Sequence, residues 1–347
     1  MSAEREVSYE AAMIDGGPHG AGDPTVLAIL GPNVVTPDGF DAARRRLADL
    51  CQAAPLDREA FARYHATMYA LYERRDVATA TRRAWLAGEM AKLEESMVAD
   101  IDWPQAMSVD AFREHVNDGL SMRARMGNAM SAYLFGGANP PDRRAARTYV
   151  LHHWYRSRRF FDLLVSFAAR TPLDLVGVLY ENLAEETGAL PGTRPHPRML
   201  EDLLHHFELP EPGQQHPTMP EAWAYLNNRS RSVRTEHPAW GLALLYSLEY
   251  STTETHRNIH TMLVRLGVPE HARSFHALHM ECDAEHANGV WRCAETHLRD
   301  AEGQRTFLRS LAEQQRLSRL YFGRIWDEIR AELGLEDHAP SASRSAP

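Results

Sequence analysis

From residue 39 to about residue 335 the chain is written almost entirely in one period. "FDAARRRLADLCQAA", "DREAFARYHATMYALYERRD" and "ATRRAWLAGEMAKLEESMVADI" place apolar residues at helical spacing, rich in Ala, Leu, Arg and Glu, with short polar breaks between segments. "NPPDRRAARTYVLHHWYRSRRFFDLLVSFAART" reads as one long helix after a Pro-Pro-Asp entry. "PLDLVGVLYENLAEETG" opens on proline and closes on glycine, the expected asymmetry of a helix. "HPRMLEDLLHHFEL", "MPEAWAYLNNRSR", "WGLALLYSLEYSTTETHRNIHTMLVRLG", "EHARSFHALHMECDAEHANGVWRCAETHL" and "GQRTFLRSLAEQQRLSRLYFGRIWDEIRAEL" continue the series. No segment shows convincing strand alternation, and there is neither a repeat nor a glycine-rich phosphate loop. The fold class that follows is all-α.

The flanks differ. Residues 1–38 are rich in Gly and Pro and read as a disordered or extended tail; "HAPSASRSAP", within residues 336–347, reads as a second. A boundary is expected near residues 100–135, separating an N-terminal helical region (39–130) from a domain (131–335) that carries nearly all candidate ligands. With 347 residues and 44% hydrophobic content, the chain can bury a sizeable core. Its formal net charge of −9 argues against a nucleic-acid partner. Three cysteines without a C-x-x-C pair suit a reduced, cytoplasmic protein. The N-terminus has no apolar signal region, and no apolar run approaches the roughly 20 residues that span a membrane.

The chemistry concentrates in "LHMECDAEHANG", residues 278–289. On a helix, His279, Asp283 and His286 stand at i, i+4 and i+7, one stripe of imidazole, carboxylate and imidazole. Among 18 histidines such a stripe also arises as a solvated polar face, so alone it leaves both readings open. Three further positions bear on the choice. Glu181, Glu185 and Glu186 crowd the C-terminal end of an otherwise apolar helix, where acids oppose the helix dipole and a bound cation compensates. His196, in "RPHPRML", enters the next helix between prolines. Glu249 interrupts the apolar run from Trp240 to Tyr250 with no lysine nearby, and a buried unpaired carboxylate costs several kcal/mol or neutralises.

Three carboxylates and three imidazoles on four helical segments make a closed chemical set. Two divalent irons with a hydroxide or oxo bridge bring it close to neutrality, and mixed N/O ligation with open positions suits dioxygen chemistry on non-haem iron. The Glu-x-x-His repeat of ferritin-type bundles is absent.

With these residues the chain resembles the haem-oxygenase-like di-iron oxidases and oxygenases. That family's most specific motif, His-x-x-x-Asp-x-x-His, is met by His279, Asp283 and His286. Its "NL-x-(D/E)-E-x-G" glutamate is met in "NLAEETG" by Glu186, followed by His196. Glu249 stands at the family's usual distance before the first histidine of the motif. Glu185 is the alternative to Glu186, and Glu254 to Glu249. Some N-oxygenating members carry a further glutamate on the first core helix; here Asp162 is the only acid there and lies off the expected place.

The resemblance covers roughly residues 130–300. It implies a haem-oxygenase-like helical bundle with an additional N-terminal helical region that serves dimerisation. It also implies two Fe(II) per chain bound by Glu186, His196, Glu249, His279, Asp283 and His286, with dioxygen as co-substrate and a peroxo-di-iron intermediate. The implied substrates are small molecules of specialised metabolism: an amino acid, an amine or a fatty acid, with an external electron donor as a further partner. N-oxygenation is the first reading. Oxidative C–C cleavage, decarboxylation or desaturation is the alternative. A thiaminase-like hydrolase using Cys282 and a non-enzymatic helical protein are the remaining ones.

Overall fold

The computed structural model describes residues 21–29, 35–73, 79–126, 128–137, 140–171, 173–210 and 216–335. Among them there is no strand. The helices of the N-terminal region are α1 (Pro24–Ala28), α2 (Pro37–Ala53), α3 (Arg58–Glu73), α4 (Ala80–Met97) and α5 (Val109–Met126). They are followed by α6 (Ala129–Phe135), α7 (Arg143–Ser157), α8 (Phe160–Ala168), α9 (Leu173–Glu186), α10 (His196–His206) and α11 (Pro220–Ser232). Then come α12 (Pro238–Arg265), α13 (Glu270–Ala294) and α14 (Ala301–Leu333). No described helix is long and apolar enough to cross a membrane.

The fold class is all-α, as read from the periodicity. Two details of the reading change. The tail expected to be extended contains α1, capped by the Asp23 side chain on the Thr25 and Val26 amides; residues 1–20, 30–34 and the C-terminal tail 336–347 lie outside the described residues. The long helix expected after Asp142 is two, α7 and α8. Its break falls at Arg158 and Arg159, and both guanidiniums reach back to Glu73 of α3. Arg159 leaves the helical region (φ −123, ψ 23) and also pairs with Asp162 at 2.5 Å. A helical period cannot reveal an ion pair with a residue so distant in sequence.

In the N-terminal region α1 to α4 share a small core built on Leu47, Tyr64, Met68, Leu71 and Leu86. The segment "YHATMYALY" spends its apolar face within the chain: Tyr64, Ala66, Met68, Tyr69, Ala70 and Leu71 are all buried. Tyr69 and Ala66 pack on Trp223 of α11, and Asn227 donates to the His65 carbonyl at 2.8 Å.

The centre of the molecule is the hairpin of α12 and α13. One apolar core takes the first part of α12 (Leu242 to Tyr246) and the last part of α13 (Val290, Trp291, Ala294). A second takes the end of α12 (Ile259, Met262, Leu263) and the start of α13 (Ala272, Phe275). Between them both helices present a polar window, residues 247–256 on α12 and 276–286 on α13. The helices are held at both ends by apolar packing, so the polar side chains in the middle have nowhere to go but towards each other and towards α9 and α10.

Candidate metal centre

Four segments supply the polar window. On α13, His279, Asp283 and His286 share one face, as their spacing requires. On α12, Glu249, Thr252 and His256 stand at i, i+3 and i+7 opposite them. Glu186 is the last residue of α9 and His196 the first of α10. The turn between them rests on Gly188, whose φ of +66 ends α9 in a left-handed residue, with Ala189 N–H donating to the Ala184 carbonyl at 2.8 Å. A Cβ on Gly188 would lie 2.6 Å from Pro195 N, next to His196. Gly188→Ala is therefore expected to lower stability by about 1–3 kcal/mol and to shift His196. Thermal melting and ferrous binding check it: a variant that melts and loads iron like the parent would show that the turn does not place His196.

All six residues singled out in the sequence converge, each at most 9% exposed. They fall into two triads, Glu186/His196/His279 and Glu249/Asp283/His286, each with one candidate ligand atom per residue within 4.8 Å of the others. His196 Nδ1 lies 3.0 Å from Glu186 Oε2, and His279 Nε2 lies 3.7 Å from Glu186 Oε1. His286 Nδ1 lies 3.6 Å from Glu249 Oε2. These are not hydrogen-bond geometries throughout: His196 Nδ1 and His286 Nδ1 are buried without a hydrogen-bond partner.

Hydrogen bonds at the far side of the rings decide which nitrogen is free. His279 Nδ1 lies 2.8 Å from the Phe275 carbonyl, which only accepts, so Nδ1 carries the hydrogen and Nε2 offers its lone pair to Glu186. His286 Nε2 lies 3.0 Å from Glu185 Oε2, which leaves Nδ1 facing Glu249. Lone pairs of imidazole and carboxylate that face each other require a cation between them, a proton or a metal ion. The carboxylates are themselves oriented: Asn182 donates to Glu249 Oε1 at 2.7 Å, and Thr252 donates to Asp283 Oδ2 at 2.8 Å. Orphaned ring nitrogens, fixed tautomers and a hard N/O donor set fit a divalent metal.

The electrostatics agree. Burial alone would raise the Glu186 carboxyl, but the His196 and His279 imidazoles hold it at about 2. Burial opposes charge on His286 too, yet Glu249, Glu185 and Glu186 keep its imidazole up at about 9. Burial pushes Asp283 up to about 7, with His279 opposing and Glu249 adding to the rise. The metal-free centre therefore holds protons where a metal would sit.

The alternatives occupy different positions. Glu185 forms a further group of possible donors with Cys282 and His286, while Glu186 stands between His196 and His279. Glu254 is exposed and ion-paired with Arg257. Asp162 is paired with Arg159 and joins neither triad. Cys282 lies 3.9 Å from Asp283 Oδ1, closer than its 100° offset on the helix suggests. Burial first, then Asp283, Glu249 and the nearby glutamates, pushes its thiol far up, which favours the protonated form.

Several residues escaped the sequence reading. His256 Nε2 lies 4.0 Å from Asp283 Oδ2, and its Nδ1 lies 2.8 Å from His276 Nδ1. His153 packs on both rings. Burial above all, together with neighbouring imidazoles and Arg156, drives these three histidines well below the usual range. Arg156 donates to His153 Nδ1, and the set has no carboxylate, so it offers a cation far less than the two triads do. The signal for His256 was present as the i, i+3, i+7 stripe on α12.

A cavity of about 700 Å³ opens on the centre and is lined by Glu186, Glu249, His279 and Asp283. Residues 147–319, half of the chain, match the sequence profile of a family described as iron-containing redox enzymes. No curated protein matches the chain. The match spans α7 to most of α14 and takes in every residue of the two triads, on the all-α architecture expected of the haem-oxygenase-like fold. The chain belongs to the family of iron-containing redox enzymes with a haem-oxygenase-like fold.

Proposed function

We propose that the protein is a dioxygen-activating enzyme that holds two ferrous ions, one in each triad, and oxidises a small molecule in the adjoining cavity. The observation that carries this reading is the partition of six buried donors into two neighbouring triads, three carboxylates and three imidazoles, with tautomers set for ligation. Iron, when bound, supplies the electrons and the open positions that dioxygen needs. The chain's own residues do the rest. Asn182 and Thr252 orient the carboxylates, Phe275 and Glu185 orient the imidazoles, and the two apolar cores flank the centre.

N-oxygenation of an amine or amino acid is the first reading of the reaction. Oxidative cleavage, decarboxylation or desaturation of an acid is the second. Labelled dioxygen separates them: label in the organic product supports oxygenation, and label only in water supports the second. Turnover at the same rate without dioxygen would sink both.

Ferrous binding must displace protons from this centre. His286 at about 9, His279 above its ordinary value and Asp283 at about 7 are protonated, wholly or partly, at neutral pH. Ligation needs all three deprotonated, so ferrous affinity rises with pH. The expected slope is about +1 to +2 in log K per pH unit below pH 7, flattening above pH 9. Anaerobic titrations in buffers from pH 6 to 9.5 check it. An affinity independent of pH would show that these groups are not the ligands.

A further inference from the structure

Among the described residues, two arginines on the wall of the same cavity, buried Arg229 and half-buried Arg156, have no carboxylate counter-ion. Arg229 of α11 is 6% exposed and its Nε has no hydrogen-bond partner. Among the described residues its side chain donates to the Arg156 carbonyl, and its guanidinium lies 5.8 Å from the centre of the Tyr225 ring. Arg156 of α7 donates to the Tyr149 hydroxyl at 2.9 Å and to His153 Nδ1 at 2.8 Å, and lies over the Tyr149 and Phe322 rings. Among the described residues no carboxylate forms an ion pair with either guanidinium. The contrast is Arg231, two residues on, equally buried and paired with Glu94 at 3.3 Å. Of the two buried arginines among the described residues, Arg231 has an acid beside it and Arg229 has none.

The groups around the pair are donors as well. Arginine has no acceptor, so His153 Nδ1 must accept from Arg156 and the hydrogen of the neutral ring sits on Nε2. That N–H is buried without a partner, as is the Gln315 side-chain nitrogen. Arg156, Arg229, His153 and Gln315 all line the cavity that also exposes Glu186, Glu249, His279 and Asp283. Arginine cannot shed its charge as a buried lysine or carboxylate can, so an uncompensated buried guanidinium must find an anion.

We propose that Arg156 and Arg229 form a carboxylate-binding subsite, with His153 Nε2–H as a further donor, so that the occupant of the cavity is an organic acid. The planar guanidinium fork matches a carboxylate in geometry and charge. Leu120, Met130, Phe135 and Phe160 on the same wall suit an apolar body. A simple amine without an acid would set a cation beside two others. That the bound acid is also the compound oxidised rests on the dioxygen-activating reading; that the subsite takes a carboxylate does not.

The test uses the full-length, metal-free protein, so that direct binding of the acid to iron plays no part. Octanoate and 3-phenylpropanoate are titrated by calorimetry, each against the matching alcohol. The acids are expected to bind about tenfold or more tightly than the alcohols, and to raise the melting temperature by ~2 °C at ten times Kd. Arg229→Gln should remove that preference, while its own melting temperature stays level or rises, because the variant loses an uncompensated buried charge. A purely structural arginine would instead lower it. Arg156→Gln gives an independent second comparison if R229Q does not fold. Acids and alcohols that bind alike, or an acid preference retained in the arginine variants, would overturn the subsite. If the parent protein fails to take up ferrous ion yet keeps the acid preference, the dioxygen-activating reading fails and the subsite stands.

Discussion

Replacing His279 by alanine is expected to abolish one of the two ferrous sites, weakening its affinity by 100-fold or more on the order-of-magnitude scale of lost ligand-shell groups, while far-ultraviolet circular dichroism stays that of a helical protein. His279 has its free nitrogen aimed at Glu186, with its ring 4.6 Å from that of His196. Its other nitrogen is committed to the Phe275 carbonyl, so no neighbouring ring can take over by rotating. The metal-free variant should also be less stable at neutral pH. Glu186 stays ionised while buried because His196 and His279 hold it at about 2. A carboxylate with a depressed pKa contributes stability above its unfolded value, and loses it as pH falls from the ordinary range towards 2. Removing one of its two partners shrinks that contribution by about 1–3 kcal/mol at pH 7. Equal ferrous loading in parent and H279A would show that the first triad does not hold metal.

Asp283→Asn is expected to do two things that rarely go together: prevent iron loading of the second triad and stabilise the metal-free protein at pH 8. Burial pushes the Asp283 carboxyl up to about 7, and Glu249 adds to the rise. A raised carboxyl has the sign opposite to Glu186: the folded state prefers it protonated, so it withdraws stability as pH rises from about 4 through 7. Above that window the ionised group costs roughly 2–4 kcal/mol, a difference of about three pKa units between unfolded and folded chain. The amide cannot ionise, keeps an acceptor for the Thr252 hydroxyl, and removes the cost. Melting curves of metal-free parent and D283N at pH 5 and pH 8 check this. The variant should gain most at pH 8, and a variant that melts lower than the parent at pH 8 contradicts it. The carboxylate proposed as a metal ligand is thus expected to strain the metal-free protein, as in a site built for a cation.

Much of this was legible because the chemistry sits on regular helices. The stripe His279–Asp283–His286 lies on one face by spacing alone, and Glu249 announces itself by interrupting an apolar run that ends up between two hydrophobic cores. Glu186 and His196 were less explicit, since only the turn at Gly188 and Pro195 brings them to the same place. What the sequence hid depends on long-range contact. His256 shares a stripe with Glu249 and Thr252 but sits in "TETHRNIH", among polar residues that resemble a solvated face, and its burial rests on contacts with His276 of α13 and His153 of α7. Arg156 and Arg229 lie in arginine-rich stretches, "YRSRRF" and "NNRSRS", where a guanidinium normally reaches water. Arg229 is buried, and its bond to the Arg156 carbonyl joins α11 to α7, a contact the local period does not report. The break between α7 and α8 was hidden for the same reason, since it answers to Glu73 of α3.

The account stands most directly on how much iron the centre takes. Full-length protein, freed of metal and titrated anaerobically with ferrous ion at pH 8, should saturate near two equivalents per chain by equilibrium dialysis. H279A and D283N should each fall to about one or fewer. Saturation of the parent near two, with that loss in both variants, is the result the two triads require. A parent protein that saturates at one equivalent, or takes up none, contradicts a dinuclear centre built from Glu186, His196, Glu249, His279, Asp283 and His286.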